Sequence, residues 1–478
     1  MPAPFYLRIM INQNDSVLRD LFNLALDNHK NKKFTKAKNL YQKILTINPN
    51  FLQAKNNLGL VLLAEDDYLN AKKIFKAVIE INPKIISAQY SLGFIFKKIG
   101  DYENSIKCFN KVIEINPNQL NANYNLGLIY KEIGNQENAE KYFKEEIRLN
   151  PKLVDAHNNL GIVFSNLGNY EDAIKCFITA LKFDVNFISA KENLVLALTS
   201  CNFESNNTIV TLHNDIKKKY KNFDLKKNLK SNNLTEIFRK INLNIITHKK
   251  YIEEINFTET QTFRRNFDNL NCERHHELYN KKKIIPNFCF GCFKIQIEPN
   301  NVFDLVKLYF IFDDIKLLNN NWRKCMLEFR NNVNGLYKGF IYCSSLKEAE
   351  DISNYIKPIL NNFFSFKLSI KRGCSEFYDT FPNFRELNSK NSNYMTYDTG
   401  WKILEKNFDE KKKINKKTLR TLNGLSLSDF LVINNWLNYA KLIDDHSHKK
   451  VSENFIYSNY IFDQLSNQIE FRKKQLLC

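Results

Sequence analysis

A phrase recurs through the first half of the chain: Ile47-Asn48-Pro49-Asn50, Ile81-Asn82-Pro83-Lys84, Ile115-Asn116-Pro117-Asn118 and Leu149-Asn150-Pro151-Lys152, its prolines 34 residues apart each time. Other positions keep the same phase. Leu58-Gly59 returns as Leu92-Gly93, Leu126-Gly127 and Leu160-Gly161, Ala71 as Ser105, Ala139 and Ala173, and Phe75 as Phe109, Phe143 and Phe177. A fixed period of this length predicts a solenoid, in which a unit too small to bury its apolar face alone stacks on its neighbours.

Each period holds two apolar runs at helical spacing, such as Leu58, Val61 and Leu62, then Ala71, Ile74, Phe75 and Val78. That pattern predicts two short helices per unit. The glycine and the small residue fall where the two helices must approach, because a larger side chain would hold the backbones apart. The proline then stops the second helix. A two-helix unit of 34 residues with this lettering resembles the tetratricopeptide repeat family, and the resemblance covers residues 16–205. It implies an all-α superhelix whose first helices line a concave surface. The first period is degenerate, with Leu24-Ala25 in place of Leu-Gly, although Ala37, Tyr41 and Pro49 keep the phase. Phe187 to Ser200 reads as a terminal capping helix. Residues 1–15 read as an irregular lead-in, with Asp15-Ser16 capping the first helix.

One residue before each Leu-Gly stands a small polar side chain: Asn57, Ser91, Asn125, Asn159 and, in the cap, Asn193. An amide both donates and accepts, so such a row can bond successive peptide groups of an extended ligand. The row resembles the asparagine ladder of the O-GlcNAc transferase repeats, with Ser91 as a departure. The abundance of Asn throughout the chain is the plainer account of it. The basic residues with which chaperone-tail-binding repeats clamp a terminal carboxylate are not evident.

From about residue 206 the period is lost. Residues 206–285 read as a helical connector with lysine-rich joints at Lys217-Lys218-Lys219 and Lys226-Lys227. Residues 286–374 then alternate between strand and helix patterns: 293–298, 302–315, 325–330, 337–343, 348–360 and 366–371, with Asn334-Gly335 as a hairpin signal. The β-α-β-β-α-β order predicts a ferredoxin-like α+β domain of four antiparallel strands with two helices on one face. Residues 375–478 read as a loop and helical annex, with helices at Leu427–Leu442 and Tyr460–Leu477.

Alternation assigns Lys294, Gln296, Lys338, Phe340 and Tyr342 to the open face of that sheet. Lys338-Gly339-Phe340-Ile341-Tyr342 resembles the third strand of an RNA-recognition motif, where aromatics stack bases. The first strand departs from that family by offering Lys294 and Gln296, and Glu298 and Glu328 would repel phosphate. A face covered by flanking helices, or one holding another ligand, is the competing expectation.

Just before the first strand lie Cys272, His275, His276, Cys289 and Cys292. Cys-x2-His followed by Cys-x2-Cys can supply four ligands to tetrahedral zinc. The alternatives are two histidines on a charged helix with two core cysteines, or a redox dithiol. Arg372-Gly373-Cys374-Ser375-Glu376 leaves the last strand at a glycine, and nothing in the sequence brings it beside Cys292.

The net charge of +19 raises nucleic acid and membranes as partners. Only 13 of the 70 basic residues are Arg, the residue that reads phosphate and base geometry, so the lysine excess reads as solvated surface. No segment of about 18 apolar residues and no signal peptide is present, and ten scattered cysteines fit a reducing compartment, so the expectation is a cytoplasmic protein with no membrane partner. Gly-rich phosphate loops and Ser/His/Asp orders are missing. The reading is an interaction scaffold that holds an extended peptide or protein segment and carries an α+β domain. A metal-assisted transferase or hydrolase fed by the repeats, and an RNA binder using the sheet face, are the alternatives.

Overall fold

Asn48, Asn82 and Asn116 explain the recurring phrase. Each is extended, as the residue before a proline must be, and closes the preceding helix by donating its N–H to Ile44, Val78 or Val112. The side-chain oxygen of each then accepts from the N–H two residues on, at 3.0, 3.0 and 3.1 Å. Asp184 does the same for Asn186 at 2.9 Å although Val185 has replaced the proline. The turn therefore depends on the Asn/Asp side chain, with proline as reinforcement.

The computed structural model describes residues 5–220, 235–236, 238–241, 255, 257–264, 272–330, 333–411, 421–422, 424–453 and 455–477. The repeat helices are α1 (Phe5–Lys30), α2 (Phe34–Ile47), α3 (Leu52–Ala64), α4 (Tyr68–Ile81), α5 (Ile86–Lys98), α6 (Tyr102–Ile115), α7 (Ala122–Glu132), α8 (Gln136–Leu149), α9 (Val154–Leu167), α10 (Tyr170–Phe183) and α11 (Ile188–Ala197). The expected irregular lead-in is helical from Phe5, so Asp15-Ser16 lies inside α1 and not at its start. By contacts the chain forms two compact units, Met1–Ala156 and His157–Cys478.

In the first unit, a Cβ on Gly59 would lie 2.8 Å from the Phe75 ring, and one on Gly127 2.6 Å from Phe143. The phenylalanine of each second helix thus lies against the bare backbone of the first. Ser105 replaces alanine at the small position without strain because its hydroxyl donates to the Gly93 carbonyl at 2.6 Å. Glu146 of α8, fully buried, accepts from the N–H groups of Asn121 and Tyr124 at the start of α7. A carboxylate there meets the unpaired donors of a helix N-terminus.

The second unit takes in the last repeat and the capping helix, which the sequence groups with the solenoid. α11 packs on α12 (Thr208–Tyr220) and on a long buried helix of residues 427–442 further along the chain. Thr199 accepts from the N–H of Leu422, and the N–H of Leu427 points at His213 Nδ1. The apolar end of the repeats is thereby covered. The joint at Lys226-Lys227 lies outside the described residues.

After α12 come β1 (Gln261–Arg264), α13 (Cys272–Lys282), α14 (Asn287–Phe290), β2 (Phe293–Pro299), α15 (Val302–Asp314), β3 (Arg323–Leu327), β4 (Tyr337–Cys343), α16 (Leu346–Asn361), β5 (Phe366–Arg372), α17 (Trp401–Lys411), α18 (Leu427–Leu442), α19 (Asn459–Leu465) and α20 (Ile469–Leu477). The sheet has five strands in the order β1-β3-β4-β2-β5, every neighbouring pair antiparallel. The fifth strand, β1, falls in the stretch read as helical connector, and its four residues are too short to show alternation. Two helices, α19 and α20, replace the single one expected at 460–477.

Gly339 of β4 is a packing glycine: a Cβ there would run into Leu308 and Phe312 of α15. Its strand neighbours Ile341 and Cys343 pair with Ile295 and Phe293, which sets these residues on the helix-covered side. Arg264 ties β1 to the rest of this unit. Its guanidinium donates to Asp313 at 2.5 Å, to Asp429 at 3.3 Å, to the Gly424 carbonyl at 3.1 Å and to the Tyr309 hydroxyl. Asn435 and Trp436 of α18 bond the carbonyls of Phe257, Glu259 and Thr260 just before β1.

Candidate functional site

The polar row on the first helices braces neighbouring repeats. In the first unit, Asn125, 5% exposed, donates to the Tyr90 hydroxyl at 2.9 Å and to the Asn121 carbonyl at 2.8 Å, while Lys97 donates to its oxygen at 2.5 Å. Ser87 donates to Asn56, Ser91 is buried, and Asn57 is half-buried. Burial lowers the pKa of Lys97 and of Lys131, which stands one period later. Lys97 is the basic residue on this face that the sequence reading overlooked, hidden in an ordinary Phe-Lys-Lys helix end.

In the second unit Asn193 donates to Asn158 at 2.9 Å, and Asn159 is buried. Asn193 also lines a cavity of about 370 Å³, together with Ile162, Ser165 and Leu196 of the last repeat and cap, and with Glu259 and Gln261 at β1. The last position of the row therefore opens into a space shared with the sheet. Nothing in the sequence marks this, because β1 lies 68 residues beyond Asn193.

The register places Lys294 opposite Tyr342 and Lys371, Gln296 opposite Phe340, and Lys324 opposite Phe340, all on the side of the sheet away from α15. This face is closed. Phe340 is 6% exposed and Lys338 1%, and Gln296 and Lys294 are buried with them. Lys294 and Lys324 lie 5.5 and 5.4 Å from the Phe340 ring centre, so both edges of an RNA-type stacking platform are occupied by the protein's own cations. Lys338 and Glu328 form a buried ion pair at 2.7 Å, to which Arg330 adds a second cation at 2.8 Å. Burial beside Lys294 brings Lys324 down to about 8.

Among the described residues, the five read as zinc ligands do not gather into one ligand set, although Cys272 and Cys292 stay near the Cys374 sulfur. His275 turns to the Phe288 ring, 5.2 Å between centres and nearly parallel, and burial lowers it to about 4. Cys289 is core, packed with Tyr279, Ile285, Phe377 and Phe384. Burial raises Cys272 to about 11 and Cys292 to about 12. His276 joins a different set. Its ring, the Cys374 sulfur and a Glu376 carboxylate oxygen lie within 4.8 Å of one another, and among the described residues this is the group of three or more His, Cys, Asp or Glu so assembled.

Gly373 makes that convergence possible. Its N–H donates to the Cys292 carbonyl at 2.7 Å, which extends the β2/β5 pairing by one bond, and its φ of +54° then turns the chain against Phe384. The turn returns Cys374 to the start of β2, the juxtaposition the sequence could not show. Burial opposes ionisation of Cys374, yet Lys294 and the adjoining His276 outweigh it and bring the thiol below its ordinary value. Cys374 in turn raises His276. Glu376 is held by Arg330, at 3.3 Å.

The repeat helices, with their bare-glycine contacts and Asx turns, define a tetratricopeptide solenoid. Residues 52–187 are tetratricopeptide repeats: models of that family match residues 52–85, 120–153 and 154–187, and a TPR repeat model matches 95–134. The C-terminal half matches no family model, and no curated protein matches the chain. Among solved structures the chain is similar to MamA at 22% identity over 35% of this chain and 92% of that one, with a TM-score of 0.33. It is similar to YrrB, described as a TPR protein with an unusual peptide-binding site, at 21% identity over 39% and 96%, with a TM-score of 0.34. PilF of Pseudomonas aeruginosa matches at 16% identity over 39% and 85%, with a TM-score of 0.36. Among the described residues no helix is long and apolar enough to cross a membrane.

Proposed function

We propose that the chain is a protein-interaction scaffold whose repeats hold an extended segment of a partner along their first helices, and whose ferredoxin-like α+β domain anchors or acts on that segment. The observation that carries this reading is the cavity of about 370 Å³ lined by Asn193, Ser165 and Leu196 on the repeat side and by Gln261 of β1 on the other. An extended chain in it meets amide and hydroxyl groups, which bond peptide groups without regard to sequence, beside Ile162 and Leu196, which take one apolar side chain. The bracing of Asn125 by Tyr90, Asn121 and Lys97 supports a rigid face with few side chains to reorder on binding, which lowers the entropy cost of binding.

The test is selection of peptides from a displayed random library on the full-length chain, followed by titration of the selected peptides. Leu196→Arg together with Asn193→Ala should weaken them roughly tenfold or more, the loss of about one hydrogen bond and one apolar contact. Recovery of no peptide, or an affinity unchanged in the double variant, would remove the reading.

A further inference from the structure

We propose that Cys374 and His276 form a nucleophile–base pair on the covered face of the sheet, and that the pair acts on an electrophile carrying a negative charge. The sulfur and an imidazole nitrogen lie within 4.8 Å of each other, the juxtaposition a cysteine nucleophile needs from its base. Cys374 is partly buried and Glu376 beside it is exposed, which puts the pair at the rim of that face. The surroundings are cationic. Lys294 acts on Cys374, on His276 and on Glu376 alike, Lys324 stands across Phe340 from it, and Arg330 bonds both Ser375 and Glu376. The other groups near the sulfur are Cys272, Cys289, Cys292, Tyr342 and Tyr378. Cys292 and Tyr342 also line a neighbouring cavity of about 440 Å³, whose lining includes neither Cys374 nor His276.

The same charges weigh against a divalent metal at His276, Cys374 and Glu376. A cation placed there would be repelled by Lys294 and would have to take Glu376 from Arg330. They favour a sulfur anion and an anionic group on its substrate. In the step itself Cys374 Sγ bonds to the electrophilic carbon and the bond from that carbon to its leaving group breaks. The departing electron pair leaves with that group. His276, which holds the thiol proton, returns it there, and no oxidant or reductant enters.

The full-length chain is treated with iodoacetate and, separately, with iodoacetamide, and alkylation of each cysteine is timed by peptide mass spectrometry; Sγ–C forms as C–I breaks and iodide leaves. Cys374 should react at least about tenfold faster than the partly exposed Cys201, and should prefer iodoacetate to iodoacetamide more than free cysteine does. His276→Asn should slow Cys374 by about tenfold and leave Cys201 unchanged. Lys294→Met should abolish the preference for iodoacetate while iodoacetamide still reacts. Should His276→Asn lose its helical circular dichroism, the wild-type rate decides: labelling of Cys374 that falls away only as pH drops well below that of free cysteine supports the pair, and a free-cysteine profile overturns it. Equal rates at Cys374 and Cys201, an unchanged rate in a folded His276→Asn, or stoichiometric zinc lost in Cys374→Ser would each overturn the proposal.

Discussion

Phe143 lies against Gly127, so near that a methyl group on that glycine would stand 2.6 Å from the ring. Two effects of Gly127→Ala oppose each other. Alanine favours the helix by about 1 kcal/mol, whereas overpacking a fully buried ring costs about 1–3 kcal/mol. Where the methyl meets the ring at 2.6 Å the clash wins, and Gly127→Ala should lower stability. At Gly93 the corresponding distance to Phe109 is 3.0 Å, so Gly93→Ala should be closer to neutral. Thermal melts of the two variants check the order, and a more damaging Gly93→Ala would refute the packing account.

Asn125 and Tyr90 brace neighbouring repeats through one hydrogen bond at 2.9 Å. A double-mutant cycle of Asn125→Ala and Tyr90→Phe, read by urea unfolding, should give a coupling of about 1 kcal/mol. Asn125→Ala alone should cost more than Tyr90→Phe, because it also strips Lys97 of its acceptor and the Asn121 carbonyl of its second donor. Additive losses would mean that the two side chains act independently.

Arg264 neutralises Asp313 and Asp429 with 6% of its surface exposed. Truncation takes from two carboxylates the cation that bonds both, and Arg264→Ala should destabilise the second unit by about 3–5 kcal/mol. Equilibrium unfolding of that unit, followed by Trp436 fluorescence beside Thr260, reports it. A loss under about 1 kcal/mol would show that water reaches the site.

Glu328 gives a pH dependence whose sign follows from its partners. Burial opposes its charge, but the hydrogen bonds from Arg330 and Lys338 outweigh burial and bring the carboxyl from 4.5 down to about 2. Since the folded value lies below the unfolded one, the stabilisation is present in full above about pH 4.5 and is lost as the pH falls toward 2. Its size is on the order of 3 kcal/mol. Glu328→Gln should be less stable than wild type at pH 7, and the gap should narrow between pH 4.5 and pH 2. A gap that stays constant across that window would exclude the pair as its cause.

Local chemistry was enough to read the repeats from the sequence. The helix pairs follow from apolar spacing, the bare glycines from the rings that reach them one helix later, and the turns from an Asn or Asp whose side chain bonds the backbone two residues on; each cause acts within one 34-residue period. The strands from Phe293 to Arg372 were legible for the same reason, since alternation is a property of neighbouring residues. Long-range pairing set the rest. β1 joined the sheet because β3 offered it an edge and Arg264 an anchor on Asp313 and Asp429, and four residues alone carry no such signal. His276 and His275 are adjacent in sequence, yet the helical twist sends one to Cys374 and the other to Phe288. Cys374 meets His276 only because the β2/β5 register and the left-handed turn at Gly373 carry it back across about a hundred residues of chain. Which side chains share a site is decided by strand register and helix facing, and both are settled by packing between segments far apart in the sequence.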